Sequence, residues 1–156
     1  MKRTQIPTAR EIMSRRVHTV SQDADLETAI RALLKKGHSG APVLDGAGAI
    51  VGVLSEHDCV AVVAQAAAER WPMSLVADHM THEVEAVPPD EDVFGLSTRF
   101  SQGRHRRLLV VEEGRLVGLI TRSDLLRALE SLESRIARDR RDTTYEAIEK
   151  RHVKLD

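Results

Sequence analysis

One cysteine, one tryptophan, one tyrosine and two phenylalanines in 156 residues leave little material for disulfides or aromatic platforms. Cys59 has no mate in the chain, so no internal disulfide is expected and a reducing, cytoplasmic setting suits the composition. With aromatics at 3%, the core has to be built from Val, Leu, Ile, Ala and Met. Few rings are left for single-stranded nucleic acid to stack on. Neither sign of charge dominates: 23 Lys and Arg face 24 Asp and Glu, a formal charge of −1, and nothing pulls the chain as a whole toward nucleic acid or an anionic membrane. No stretch approaches the roughly 18 apolar residues of a membrane span. The start, Met1 to Pro7, has no signal-peptide run. Catalytic signatures are missing too: no G-x-S-x-G elbow, no H-E-x-x-H, no G-x-x-x-x-G-K-[ST] phosphate loop. The expectation is a soluble, cytoplasmic, non-enzymatic protein.

What the chain does have is an internal repeat. Met13 recurs as Met80 and His38 as His105, a shift of 67; Gly52 recurs as Gly118 and Asp58 as Asp124, a shift of 66. One residue lost from the second hairpin turn accounts for the change. Within each copy the pattern reads as a capped helix, a short strand (Val17–Val20 or Val84–Val87), a helix, an aliphatic hairpin and a further helix. Leu26, Ala29, Ile30, Leu33 and Leu34 fall at helical spacing, and Gly37 is placed to end that helix. Two β-α-β-β-α units, each with one apolar sheet face, are expected to pack about a pseudo-twofold axis in an α+β fold. The limits expected are 8–71 for the first unit, 72–138 for the second and 139–156 for a charged extension. In the last helix Leu125, Leu129, Leu132 and Ile136 form a stripe beyond what one small repeat needs, which suggests a homodimer. That helix is expected to run to about Arg138, break at residues 140–144 and resume from Tyr145.

The chemistry of the repeat concentrates in Gly52-Val53-Leu54-Ser55-Glu56-His57-Asp58 and its twin Gly118-Leu119-Ile120-Thr121-Arg122-Ser123-Asp124. The aliphatics end a buried strand, and Ser55 or Thr121 can cap a helix that starts one residue later. The aspartate then stands on the first turn, where its charge complements the helix dipole by about 0.3–1 kcal/mol with no ligand present. A carboxylate so placed can also accept hydrogen bonds from a diol, and free N–H groups beside it can hold a phosphate.

Two copies of G-h-h-[ST]-x-x-D, with h an aliphatic residue, follow Met13-Ser14 and Met80-Thr81, the V-x-x-V strands, and the openings Ser39-Gly40-Ala41-Pro42-Val43 and Arg106-Arg107-Leu108-Leu109-Val110. Across residues 8–138 this pattern resembles a tandem pair of CBS (cystathionine beta-synthase) domains. The resemblance implies a regulatory module that holds an adenosine-containing ligand, AMP, ADP, ATP or S-adenosylmethionine, in clefts between the copies, and needs no other cofactor. By the resemblance, one cleft would use Thr121, Ser123 and Asp124 with Thr19, Val20, Ser39, Gly40 and Ala41, and Arg106 and Arg107 would meet phosphate. The other would use Ser55, His57 and Asp58 with Ala86 and Val87. Glu56 and Glu85 lie near the second cleft and should repel a polyphosphate, so the Asp124 cleft is expected to be the tighter.

Plainer readings stand beside these. Arg104 to Arg107 can be a solvated basic loop; Cys59 among valines and alanines reads as a packed thiol; His79 and His82 lack a third metal ligand. With no catalytic or transport domain in the chain, occupancy would be signalled to a regulated protein in trans or through the oligomer. The alternative from another class is a dimeric adaptor whose clefts are empty. Nucleic-acid binding through Arg104–Arg107 and the basic tail is disfavoured by the alternating charges.

Overall fold

A computed structural model describes residues 4–70, 74–103 and 105–152, with the backbone alone from 146 onward. Trp71, expected to anchor the linker, and Arg104 lie outside these residues. The first repeat comprises α1 (Ala9–Ile12), β1 (Val20–Ser21), α2 (Leu26–Lys36), β2 (Gly40–Leu44), β3 (Ile50–Ser55) and α3 (Glu56–Glu69). The second comprises a 3-10 turn (Val76–Asp78), β4 (Ala86–Val87), α4 (Val93–Gln102), β5 (Arg107–Glu112), β6 (Arg115–Thr121) and α5 (Arg122–His152). Each repeat folds one three-stranded sheet whose middle strand, β2 or β5, runs parallel to the strand before it and antiparallel to the strand after it. This is the expected α+β arrangement of two β-α-β-β-α units with a long last helix.

Local chemistry sets the boundaries. Asp25 caps α2 by accepting the Thr28 N–H at 2.9 Å, and Gly37, at φ 66°, turns the chain out of it. In the second hairpin Glu113 and Gly114 both take positive φ, 50° and 74°, the signature of a two-residue primed turn that matches strand twist. The first hairpin is longer, and Asp45 organises it by accepting from the Ala47 and Ala49 N–H groups.

The V-x-x-V strands are shorter than expected, for a reason visible in their partners. In β2, Pro42 has no N–H to give to the neighbouring strand, and ladder pairing begins only at Val20↔Val43. Its counterpart Leu109 does donate, to the Glu85 carbonyl at 3.2 Å, so β4 lies one residue earlier and pairs Ala86↔Leu109. There the strand stops, because Pro88 and Pro89 follow. The last helix also differs from expectation: α5 runs unbroken through residues 140–144. No Gly or Pro interrupts it, and the Thr143 and Thr144 hydroxyls bond back to the Asp139 and Arg140 carbonyls, which keeps both threonines within a helix.

The two repeats exchange their first segments. Ser14 and Leu119 trade both backbone hydrogen bonds, at 2.9 and 3.0 Å, and so do Thr81 and Val53, both at 2.9 Å. Leu26 N–H reaches the Ser74 carbonyl at 3.0 Å while Val93 N–H reaches Pro7 at 3.1 Å. These contacts come in pairs related by the 67/66 shift, which places a pseudo-twofold axis between the sheets. The cores follow suit. Ala9 and Met13 of the first repeat are buried with Val93, Leu96, Leu108 and Ile120 of the second. Val76 and Met80 of the second are buried with Leu26, Leu33, Val43 and Leu54 of the first. Gly118 and Gly52 make room for this: a Cβ on Gly52 would meet the Thr81 carbonyl oxygen at 2.7 Å and Met80 Sδ at 2.9 Å, and one on Gly118 would strike Met13. The stripe on α5 is consumed here as well, since Leu125 and Leu132 are buried in this second core and Leu129 and Ile136 pack against it.

Candidate functional site

Both motifs fold alike. Ser55 ends β3 and caps α3, its Oγ accepting the Asp58 N–H at 3.2 Å. Asp58 Oδ2 answers by accepting from the Ser55 N–H at 2.9 Å and hydroxyl at 2.7 Å. In the twin, Thr121 N–H and hydroxyl donate to Asp124 Oδ2 at 2.8 and 2.7 Å. Each aspartate thus spends one oxygen on its own cap and turns the other outward.

The outward oxygens differ in company. Asp124 Oδ1 accepts the Arg127 guanidinium at 2.7 Å. Burial acts to raise the Asp124 carboxyl pKa, but the Thr121 N–H and hydroxyl and then Arg127 outweigh it and hold it below the ordinary value. Among the described residues, Asp58 Oδ1 accepts only from the Thr81 hydroxyl, at 3.2 Å, reaching across from the other repeat.

Around Asp58 lies a cavity of about 550 Å³ between the repeats. The first repeat lines it with Ser39, Gly40 and Ala41 at the start of β2, and with Ser55, Glu56, His57 and Asp58 where β3 becomes α3. The second contributes Thr81, Glu83 and Glu85 before α4, and His105, Arg106 and Arg107 before β5. Pro42, Val53 and Leu109 supply an apolar floor.

Arg107 spans the axis. It donates from Nη1 to the Gly40 carbonyl at 3.0 Å and from Nη2 to Ser39 Oγ. Gly40 is its own counterpart in the first repeat, by the shift of 67. A Cβ at Gly40 would sit 2.7 Å from the Leu54 carbonyl oxygen, so the side chain that one repeat carries is sterically barred in the other. Glu85 lies 3.5 Å from Arg99 Nη1 and 3.7 Å from His105 Nε2. The hydrogen bond from Arg99 to Glu91 at 2.8 Å is the chief cause of a raised guanidinium pKa, which fixes that cation beside Glu85.

The expected grouping is therefore rearranged. Ser39, Gly40, Ala41, Arg106 and Arg107, assigned on the resemblance to the Asp124 cleft, all line the cavity that contains Ser55, His57 and Asp58. The openings of β2 and β5 meet across the axis, which brings both to one cavity. Thr121, Ser123 and Asp124 do not line it, and neither do Thr19 and Val20; Val20 is buried in the first core. Ala86 is exposed outside the cavity lining, and the Val87 side chain is fully buried in the second core. Sequence reasoning missed Thr81 and Glu83 as lining residues. The repeat held the signal, because Thr81 is the counterpart of Ser14, but which sheet each segment joins is a long-range pairing.

Elsewhere, His18 stacks obliquely on His38, ring centroids 5.9 Å apart, with its Nε2 buried and unpaired. Burial, then the charges of Lys36 and His38, lowers its pKa. His79 shares a hydrogen bond with Ser74 at 2.8 Å. Cys59 is buried, and burial followed by Asp58 and Glu56 raises its thiol pKa, which disfavours the reactive thiolate.

Two pseudosymmetric α+β halves that exchange their first segments and enclose a polar cavity define a class, a tandem domain pair built by duplication within one chain. The family model of the CBS domain matches residues 9–65 and again 76–131. The chain belongs to the CBS domain family. It is 32% identical over 122 residues to the uncharacterized protein MJ1225 of Methanocaldococcus jannaschii, covering 78% of this chain but only 42% of that one, so it spans less than half of this relative's length. Among solved structures it is similar to CBSX2 in complex with AMP, at a TM-score of 0.70 and 27% identity, over 81% of this chain and 98% of that one. The CBS domain pair of MJ0100, in complex with 5-methylthioadenosine and S-adenosyl-L-methionine, shares the fold at a TM-score of 0.65 and 24% identity, over 81% of this chain and 98% of that one.

Proposed function

We propose that this chain is a regulatory module that binds an adenosine-containing ligand in the cavity beside Asp58 and passes its occupancy to a partner protein. The observation that carries this reading is the cavity itself, where a carboxylate oxygen on a first helical turn, an apolar floor and two arginines converge between the repeats. Asp58 Oδ1 accepts the ribose hydroxyls, displacing the Thr81 contact; Pro42, Val53 and Leu109 take the base; Arg106 meets the 5′ substituent. The AMP complex of CBSX2 supports the ligand class. A second, weaker site at Thr121, Ser123 and Asp124 remains part of the proposal, framed by the backbone of Thr19 and Val20. It ranks below the first because Arg127 already occupies the outward oxygen of Asp124. Isothermal titration with AMP tests this: Asp58→Ala weakening binding by about 10–100-fold supports it, and Asp124→Ala alone doing so reverses the ranking.

The proposal includes a cytoplasmic homodimer. Val60 and Leu126, related by the 66 shift, stand 68% and 69% exposed on α3 and α5. They are among the most exposed large apolar side chains once the α5 stripe is used internally, and a second copy is the occupant proposed for them. Light scattering checks it: Val60→Glu with Leu126→Glu should give a monomer.

A further inference from the structure

The cavity and the matching positions of the other repeat differ in charge. Four carboxylates line the cavity, Glu56, Asp58, Glu83 and Glu85, against the guanidiniums of Arg106 and Arg107, a formal charge of −2 with both histidines neutral. One of those cations, Arg107, is already committed to Ser39 and Gly40. By the 67/66 shift, Glu83 corresponds to Arg16, Glu85 to His18 and Glu56 to Arg122. Only the motif aspartate keeps its sign. The acid excess is thus not demanded by the fold, because the same scaffold carries basic side chains at the corresponding places.

Resting on the adenosine reading above, we infer that the Asp58 cavity ranks its ligands by charge: it prefers an adenosine whose 5′ substituent is neutral or cationic, tolerates a single phosphate at Arg106, and Glu83 and Glu85 disfavour the polyphosphates. A triphosphate would bring several negative charges against four carboxylates that Arg106, Arg107 and, behind Glu85, Arg99 offset only in part. A sulfonium group would instead be attracted to them. Each like-charge contact a few ångströms away in a site of intermediate dielectric weakens binding by about tenfold.

Titration calorimetry of the full chain with S-adenosylmethionine, 5′-methylthioadenosine, AMP and ATP, at low and high salt, tests the inference. The first two should bind at least about tenfold more tightly than ATP, by a margin that narrows as salt screens the carboxylates. Glu83→Arg with Glu85→His, the residues that the other repeat carries, should bring ATP level with methylthioadenosine or ahead of it. Glu83→Gln, which keeps the side chain's volume, guards against a folding defect and should recover part of the effect. ATP binding the wild type as tightly as methylthioadenosine, or an unchanged ratio in the variants, overturns the inference while leaving the adenosine reading in place. All four compounds binding Asp58→Ala as tightly as the wild type, with the ratio intact, puts the selectivity outside this cavity and also overturns it. If none of the four compounds binds, the adenosine reading falls and the inference with it.

Discussion

The two repeats share one scaffold, yet their motif aspartates live differently. The outward oxygen of Asp124 is closed off by Arg127 within its own helix, whereas that of Asp58 faces a cavity and accepts from a hydroxyl of the other repeat. The scaffold is the same at both places: strand into helix, hydroxyl cap, carboxylate on the third helical residue. What separates them is a few side chains that the backbone does not care about. Duplication therefore supplies the geometry twice and leaves the chemistry free to diverge.

The largest expected effects test what the repeats have in common. Met13→Ala and Met80→Ala each empty a buried site in the core of the opposite repeat, so each should cost about 2–5 kcal/mol in urea unfolding. Both should act on one cooperative transition. If Met13→Ala loosened only the first sheet, as read by hydrogen exchange, the exchange of segments would be refuted.

Next comes the ligand. Asp58→Ala should weaken AMP binding by about 10–100-fold, the loss of hydrogen bonds to a charged acceptor at about 1.5–3 kcal/mol, while Asp124→Ala should change it far less. Calorimetry showing equal losses would make the two sites equivalent.

A smaller effect separates the caps. Ser55→Ala and Thr121→Ala each remove the hydroxyl that accepts the third residue's N–H and donates to its carboxylate, at about 1 kcal/mol and a few degrees of melting temperature. Similar shifts for the two are expected, since this part of the geometry is shared.

The smallest is a matter of pH. The Asp124 carboxyl sits below its ordinary value in the folded protein, so the ionised form is favoured by folding. Its contribution is fully present above the unfolded-state value and is lost as the pH falls through the folded one. Asp124→Asn should therefore be less stable than the wild type at neutral pH, and the gap should close under acid. A gap that widens on acidification would contradict the hydrogen-bond assignment.

Much of this is legible in the sequence. Capping residues such as Thr8, Asp25, Ser55 and Thr121 act within three or four residues, and the sequence shows them directly. The aliphatic hairpins and the repeat shift were equally plain. What escaped was non-local. Nothing near Met13 says that it will lie on Gly118, or that Thr81 will reach Asp58. The membership of the cavity is non-local too: Arg106 and Arg107 line the cavity beside Asp58 because β2 and β5 approach across the axis, which is a tertiary fact. The break foreseen in α5 failed differently, since a run of charged residues and threonines weakens a helix without ending it.

The exchanged first segments have a consequence for how such a chain could arise. A single repeat on its own would leave its sheet without the Met-bearing arm that fills the core, and could complete itself only by lending that arm to a second molecule and receiving one in return. That exchange depends on concentration, and dilution would undo it. Linking the two copies end to end makes each the permanent donor to the other, and the pairing then survives at any dilution. Freed from having to be identical, the two arms and the two aspartates could drift apart.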